Sequence, residues 1–241
     1  MTVVPLPTCT VNPDPTRILF NLVNNILPEV ASDIRYADPT PNTLWTSNGS
    51  GVLSSVNTGF GDAMELISTQ TASTSASVSF TSGLTSTYKE YVFEFIDIHP
   101  SATSAEFKFQ VNASDDTGGG FDTSLIASSH FYVAHNESGG NEGPSYQGSY
   151  DVANAASFQP FGENVGGEND ESLAGELHLF NPASTTYVKN FHARVHHYRS
   201  DNRALTGFTA GYINDTTAIV EVQFKMSTGT FDGKIKLYGI K

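Results

Sequence analysis

The sequence predicts an all-β protein, an antiparallel β-sandwich preceded by an extended N-terminal arm with one short helix. From residue 65 to the C-terminus, segments with a period of two alternate apolar and polar residues. Clusters of Ser, Thr, Gly and Asn separate these segments, as turns separate strands. A convincing helical apolar pattern occurs only in DPTRILFNLVNNILPEV (14–30). Because no helical pattern lies between the predicted strands, we expect antiparallel sheets that close as a sandwich.

The N-terminal arm is predicted from its prolines and from this one helical pattern. Seven of the 11 prolines lie between Pro5 and Pro41, which favours extended, irregular backbone. Asp14 and Pro15 are suitable N-cap and first-turn residues, and Pro28 ends the pattern, so we predict a helix over about 15–27, roughly 20 Å long. Its apolar residues are Ile18, Leu19, Leu22, Val23, Ile26 and Leu27. We therefore divide the chain into an arm (1–60) and a sandwich domain (61–241).

The strands of the sandwich are predicted from alternation. In AEFKFQV (105–111) and VEVQFKM (220–226) every second residue is apolar, so one face is buried and the other is solvated. Further predicted strands lie at 75–81, 88–98, 124–134, 171–180, 186–198, 205–213 and 233–240. We expect the Gly-rich segments 115–122, 135–151 and 161–171 to be loops.

Composition excludes several classes of partner. The formal net charge of −13 repels phosphate backbones and anionic membrane surfaces, so neither nucleic acid nor membrane is expected as a partner. Between residues 110 and 188 there are 11 acidic and no basic side chains, whereas eight of the 12 bases follow from Lys189 onward. This asymmetry suits contacts between copies of the chain, or it is an ordinary solvated acidic surface. No segment approaches the roughly 18 apolar residues of a membrane span, no signal peptide is recognised, and Cys9 is the single cysteine, so we expect a soluble protein made in the cytoplasm without an internal disulfide.

Candidate chemical sites are weak, and we expect no metal, no cofactor and no enzymatic activity. His192, His196 and His197 lie on a predicted strand, where positions four apart are separated by roughly 13 Å and cannot share one ion, although His178 could pair with one of them across the sheet. Calcium ligands could come from the acidic loops, but their spacing does not fit an EF-hand, and solvated turn carboxylates are the favoured explanation. These carboxylates are Asp115, Asp116, Asp122, Glu168, Asp170 and Glu171. GPSYQG (143–148) resembles but does not match the Gly-x-Ser-x-Gly motif of a nucleophile elbow.

Sugar binding is a further site-level hypothesis. Aromatic residues beside polar loops could present rings to a glycan, although rings on strands commonly belong to the core. The residues concerned are His130, Phe131, Tyr132, Tyr146 and Tyr150.

Three stretches together resemble a family of virion proteins of tailed phages of aquatic bacteria. They are ELISTQTASTSASVSFTSGLTSTYKEYVFEF (65–95), DESLAGELHLFNPASTTYVKNF (170–191) and MSTGTFDGKIKLYGIK (226–241). Members of this family are described as structural, tail-fibre or head-decoration proteins. The resemblance covers most of 65–241 and none of 1–50. It implies a β-sandwich of jelly-roll type on the virion surface, assembled as a homotrimer, with no catalytic residues to carry over.

The resemblance and the arm together suggest a role for the helix. A helix with apolar side chains on more than one face, held on proline-rich flanks, requires a second partner. We expect its six apolar residues to anchor the chain to another virion subunit, in the capsid or the tail, or to neighbouring copies of itself. Alternatively, the helix covers an open end of its own sandwich.

Two classes of function follow. The chain either decorates or cements the capsid through its arm, or it is a short tail fibre or receptor-binding protein that recognises a host surface glycan. The absence of a heptad pattern or repeated shaft segment favours decoration.

Overall fold

The computed structural model describes residues 43–47, 53–57, 63–116, 120–121 and 124–241. The chain divides into two compact units, Met1–Asp62 and Ala63–Lys241. In the first unit, β1 (Thr43–Ser47) and β2 (Leu53–Asn57) form an antiparallel hairpin. The helix predicted over 15–27, with its six anchoring residues, lies outside the described residues.

The second unit is built from β-strands, as the sequence predicted. They are β3 (Met64–Ser75), β4 (Ser77–Phe80), β5 (Glu90–Pro100), β6 (Ala105–Ala113), β7 (Ile126–Asn136), β8 (Asn141–Tyr146), β9 (Ala153–Ala155), β10 (Gln159–Val165), β11 (Leu173–Phe180), β12 (Lys189–Arg199), β13 (Arg203–Ile213), β14 (Ile219–Met226) and β15 (Phe231–Ile240). One 3₁₀ turn, Gly148–Tyr150, precedes β9. All strand pairs are antiparallel.

The strands form two layers. The larger layer has the order β3-β15-β5-β11-β12-β13-β7, and β8 and β9 both pair with β7. The smaller layer has the order β10-β6-β14-β4. The single residue pair Val165 and Arg199 joins β10 to β12 and nearly closes the sandwich on that side.

Phenylalanine rings fill the space between the layers. Phe93 and Phe95 of β5 both lie 5.2 Å, between ring centroids, from Phe224 of β14. Phe95 also contacts Phe107 of β6 edge to face at 5.2 Å and stacks on Phe161 of β10 at 5.4 Å. All five side chains are at most 1% exposed. Each aromatic side chain buries a large apolar area, so this cluster is the main source of the hydrophobic stabilisation.

The larger layer continues beyond β11 with five more strands. We call β12, β13, β7, β8 and β9 the extension. β12 follows β11 directly, β13 pairs along its whole length with both β12 and β7, and the segment between β6 and β10 supplies β7, β8 and β9. Two separate segments of the chain thus meet in the extension.

The loop predictions were wrong at two places. The segment 135–151 contains β8, and 161–171 contains most of β10. The strand β10 shows no apolar–polar alternation in its sequence, because Pro160 and Gly162 interrupt the strand. Asn164, near its end, adopts a positive φ. The register of β10 against β6 therefore shifts twice over this short strand.

Candidate functional site

A row of side chains crosses the outer face of the larger layer, away from the phenylalanine core. Strand registers place Glu176 of β11 opposite Arg194 of β12, Arg194 opposite Phe208 of β13, and Phe208 opposite Phe131 of β7. Tyr146 of β8 lies opposite Phe131 of β7 and is 67% exposed. Directly opposite residues on neighbouring strands have adjacent side chains, so the row passes from charged to aromatic within a few strands.

The neighbouring row consists of smaller residues and creates a depression. His192 of β12 lies opposite Ala210 of β13, and Ala210 lies opposite Ser129 of β7. A depression of about 370 Å³ lies between the two rows. It is lined by His192, Ala210 and Ser129 of this row and by Glu176, Arg194, Phe208 and Phe131 of the first row. Ala210 and Ser129 are exposed, and their short side chains leave space beside the larger Phe208 and Phe131. We call this depression with its walls the outer-face site.

Charged groups form a connected network at one end of the outer-face site. Nδ1 of His178 lies 2.6 Å from Oε1 of Glu90, and its Nε2 lies 3.7 Å from Oε2 of Glu176. Nη2 of Arg194 donates to Oε1 of Glu176 over 3.2 Å. The network thus links two carboxylates, one guanidinium and one imidazole, and within it Glu176 is paired with Arg194.

A histidine pair adjoins this network. The rings of His178 and His192 stack with centroids 4.5 Å apart and planes 13° apart. Partial desolvation, followed by the neighbouring His178, lowers the pKa of His192 from 6.5, so its imidazole is mainly neutral at pH 7. A neutral imidazole offers one donor and one acceptor to a polar ligand.

Stacked aromatic rings form the opposite end. The Phe131 and Phe208 centroids are 5.0 Å apart with planes at 13°, and Phe131 is 44% exposed. Tyr212, two positions after Ala210 on the same face of β13, is 39% exposed. A cluster of exposed rings on a sheet face is unusual for a solvated surface and is typical of a binding site.

Beneath the extension, the inner face carries polar side chains beside the apolar ones of the core. Nδ1 of His130 lies 2.7 Å from Oγ1 of Thr209, and Nε2 of His197 lies 2.6 Å from the carbonyl oxygen of Glu163. Desolvation lowers the pKa of both histidines to about 4. Desolvation also raises the pKa of the Glu163 carboxyl. Both imidazoles are therefore neutral at pH 7, and burial shifts the Glu163 carboxyl towards its neutral form.

The structure separates the histidines that the sequence grouped. His192 and His196 are exposed on the outer face of β12, whereas His197 points inward and is 1% exposed. His178 lies opposite His192. Within 63–116, 120–121 and 124–241, no group of three His, Cys, Asp or Glu side chains is arranged to hold a metal ion.

Three of the acidic residues considered as calcium ligands accept hydrogen bonds from the chain itself. Oδ2 of Asp116 accepts from the amide of Ala113 at 3.1 Å, and Oδ2 of Asp115 accepts from Thr217 Oγ1 at 3.1 Å. Oε2 of the buried Glu171 accepts from the amide of Glu168 at 2.7 Å, while Glu168 and Asp170 are exposed. Asp122 and Cys9 lie outside the described residues.

The five aromatic residues proposed for sugar binding divide between the two faces of the extension. Phe131 and Tyr146 are exposed neighbours on the outer face. His130 and Tyr150 are buried, and Tyr132 is half-buried. Tyr146 donates its hydroxyl hydrogen to Asp151, which also accepts the backbone amide of His130.

Sequence reasoning missed Phe208, Arg194, Glu176 and Ala210 as members of a site. Alternation does show that Phe208 and Ala210 share the outer face of β13, because Leu205 and Ile213 have the opposite parity. Which residues of other strands they meet depends on register, and no local pattern states the register.

No protein-family model matches this chain, and no curated protein matches its sequence. In the part of the chain that the structure describes, no helix has the length and apolar character needed to cross a membrane.

Proposed function

We propose that this chain is a non-enzymatic surface protein of a phage virion, which decorates or cements the capsid through its N-terminal arm and displays its β-sandwich to solvent. The proposal combines the sequence resemblance with the position of the resembling stretches in the fold.

The position of the resembling stretches in the fold is the main support for this proposal. The three resembling stretches cover β3, β4 and the first part of β5 (65–95), β11 and the start of β12 (170–191), and β15 (226–241). In the larger layer the order β3-β15-β5-β11-β12 places five of these six strands side by side. The resemblance therefore concerns one continuous structural unit, which favours a shared framework over scattered chance likeness.

The strand order also supports the finer assignment to a jelly roll. We number β3, β4, β5, β6, β10, β11, β14 and β15 from one to eight along the chain. The layers then read 1-8-3-6 and 2-7-4-5, the connectivity of a jelly roll, a fold used by viral capsid and lectin domains. A fold alone does not specify a function, so this agreement supports the proposal only together with the resemblance.

The arm is proposed as the anchor because of its six apolar residues. Burying five or six Leu, Ile and Val side chains stabilises an interface by about 10 kcal/mol before ordering costs. Assembly as a homotrimer would combine three such anchors and increase the overall affinity without any new contact.

Purified particles of the virus that encodes the chain provide the test. We expect the chain in stoichiometric amount, and antibodies against 63–241 to label intact particles. The full chain carrying Leu22→Asp and Ile26→Asp should fold but fail to join particles, whereas Asn24→Asp in the same segment should join them normally. Absence of the chain from purified particles would refute the proposal, and incorporation of the double variant would refute the anchoring role.

A further inference from the structure

The structure points to a carbohydrate-binding site on the outer face of the extension, and we propose that the outer-face site binds a neutral sugar. The inference goes beyond placement on a virion, because it rests on the geometry and chemistry of this face alone.

The shape of the outer-face site fits a small ring. Ala210 and Ser129 form a low floor, the Phe131 and Phe208 pair forms one wall, and the other end is polar. Its volume of about 370 Å³ lies at the lower end of the range for small-molecule sites. A pyranose ring has this combination of a flat C–H face and a polar rim.

The chemistry of the walls also matches a sugar. The stacked rings of Phe131 and Phe208 offer apolar surface beside the floor, against which the C–H groups of a pyranose can pack. The Glu176 carboxylate, the Arg194 guanidinium and the neutral His192 imidazole supply both acceptors and donors for neighbouring hydroxyl groups. The side chain of Arg194 is 61% exposed, so it can donate to a ligand while it remains paired with Glu176.

Charge decides between a neutral and an acidic ligand. At the outer-face site the Arg194 guanidinium is already paired with the Glu176 carboxylate at 3.2 Å, so the site has no unpaired positive charge to attract an anionic ligand. The whole chain carries a formal charge of −13, which repels acidic saccharides and nucleic acid.

A protein partner fits the outer-face site less well. Specific protein interfaces bury about 800 Å² on each partner, and charged residues are depleted at their centres. Here charged and polar side chains line the depression itself, and its space of about 370 Å³ suits a small molecule. A second copy of the chain is therefore the competing occupant that the test must separate.

The experiment measures binding of soluble saccharides to the purified full chain by saturation-transfer NMR and calorimetry. The panel contains glucose, galactose, mannose, rhamnose, N-acetylglucosamine and short oligomers of each, with glucuronic acid and sialic acid as acidic probes. For a single ring in so open a site, we expect dissociation constants on the order of millimolar.

Matched variants locate the binding. Ala210→Leu fills the floor, whereas Ala204→Leu makes the same change on the same exposed face, near the start of β13 and away from the depression. Ala210→Leu and Phe131→Ala should each weaken binding at least tenfold, and Ala204→Leu should change it less than twofold. Thermal melts by circular dichroism establish that all three variants are folded.

Three results would overturn the proposal. The first is no binding by any neutral saccharide at concentrations well above the millimolar range, or binding of the acidic probes only. The second is neutral-sugar binding that Ala210→Leu leaves unchanged. The third is concentration-dependent self-association that Ala210→Leu abolishes while no sugar competes, which would assign the face to a second copy. None of these results bears on whether the chain is present in virions.

Discussion

Acid should destabilise this protein through two histidines beneath the extension. His130 and His197 are at most 1% exposed, and burial lowers the pKa of each from 6.5 to about 4. On unfolding, both imidazoles return to water and to their ordinary pKa. As the pH falls below 6.5, the unfolded chain therefore binds protons that the folded chain does not bind, and the free energy of unfolding decreases until the pH reaches about 4.

The magnitude follows from the two pKa values. Between pH 7 and pH 4.5, a histidine with a folded pKa of about 4 and an unfolded pKa of 6.5 lowers the free energy of unfolding by about 2.5 kcal/mol. The two together account for about 5 kcal/mol, a large part of the 5–15 kcal/mol typical of a domain. Glu163 acts in the opposite direction, because burial raises the pKa of its carboxyl and the folded chain therefore takes up that proton at a higher pH than the unfolded chain does.

Urea unfolding followed by far-ultraviolet circular dichroism at pH 7, 6, 5 and 4.5 measures this slope. The range ends at 4.5 because ordinary carboxylates titrate mainly below that value. His197→Gln should reduce the loss of stability over this range by about 2.5 kcal/mol relative to the unsubstituted protein. His135→Gln, at an exposed position on β7, is the matched control and should leave the slope unchanged.

Two outcomes would contradict the reasoning. If the unsubstituted protein keeps its stability from pH 7 to 4.5, the buried imidazoles do not resist protonation as their burial implies. If His197→Gln retains the full slope, the acid sensitivity originates elsewhere in the chain.

Three substitutions test other parts of the fold by urea unfolding at pH 7. Phe224→Ala should cost about 3–5 kcal/mol, because it leaves a cavity among the Phe rings of both layers. Tyr187→Ala, at an exposed position, is its control and should leave the stability almost unchanged. Lys189→Met should lower the free energy of unfolding by about 1–3 kcal/mol, because the buried ammonium donates to the carbonyls of Asp215 and Thr217, which would lose their donor. Lys234→Met, at an exposed position, is its control and should leave the stability unchanged. Gly211→Ala should cost about 1–3 kcal/mol, because a Cβ there would overlap the carbonyl oxygen of Ala127 and force β13 away from β7; unchanged stability would contradict the close pairing on which the outer-face site depends.

Local alternation predicted most of the strands because one face of each is buried in a phenylalanine core. The segments expected at 105–111 and 220–226 lie within β6 and β14, whose alternate residues form that core. The strand β3 lies at the edge of the larger layer and is mostly exposed, so its Ser and Thr residues show little apolar alternation. The strand β10 was missed for a different reason, since proline, glycine and a positive φ break its period.

The outer-face site lay beyond prediction from local sequence, because its members come from four strands. Glu176, Arg194, Phe208 and Phe131 become neighbours only through the registers of β11, β12, β13 and β7. Of the aromatic residues that the sequence singled out, Phe131 lines the outer-face site, while His130, its neighbour in the chain, lies on the opposite face of the same strand. Composition suggested rings near polar loops, and strand parity decided which rings reach solvent.

The extension reverses the ordinary alternation of a half-buried sheet at its centre. An antiparallel sheet normally directs apolar side chains inward and polar side chains outward. At adjoining positions of β7 and β13, the polar pair His130 and Thr209 is buried while the aromatic pair Phe131 and Phe208 lies outside. This arrangement loses hydrophobic burial and keeps polar groups out of water, so folding alone gives no reason for it. Departures from local consistency of this kind are expected where a protein serves a function at the expense of stability. The reversal therefore supports a binding role for the outer face independently of the shape of its depression.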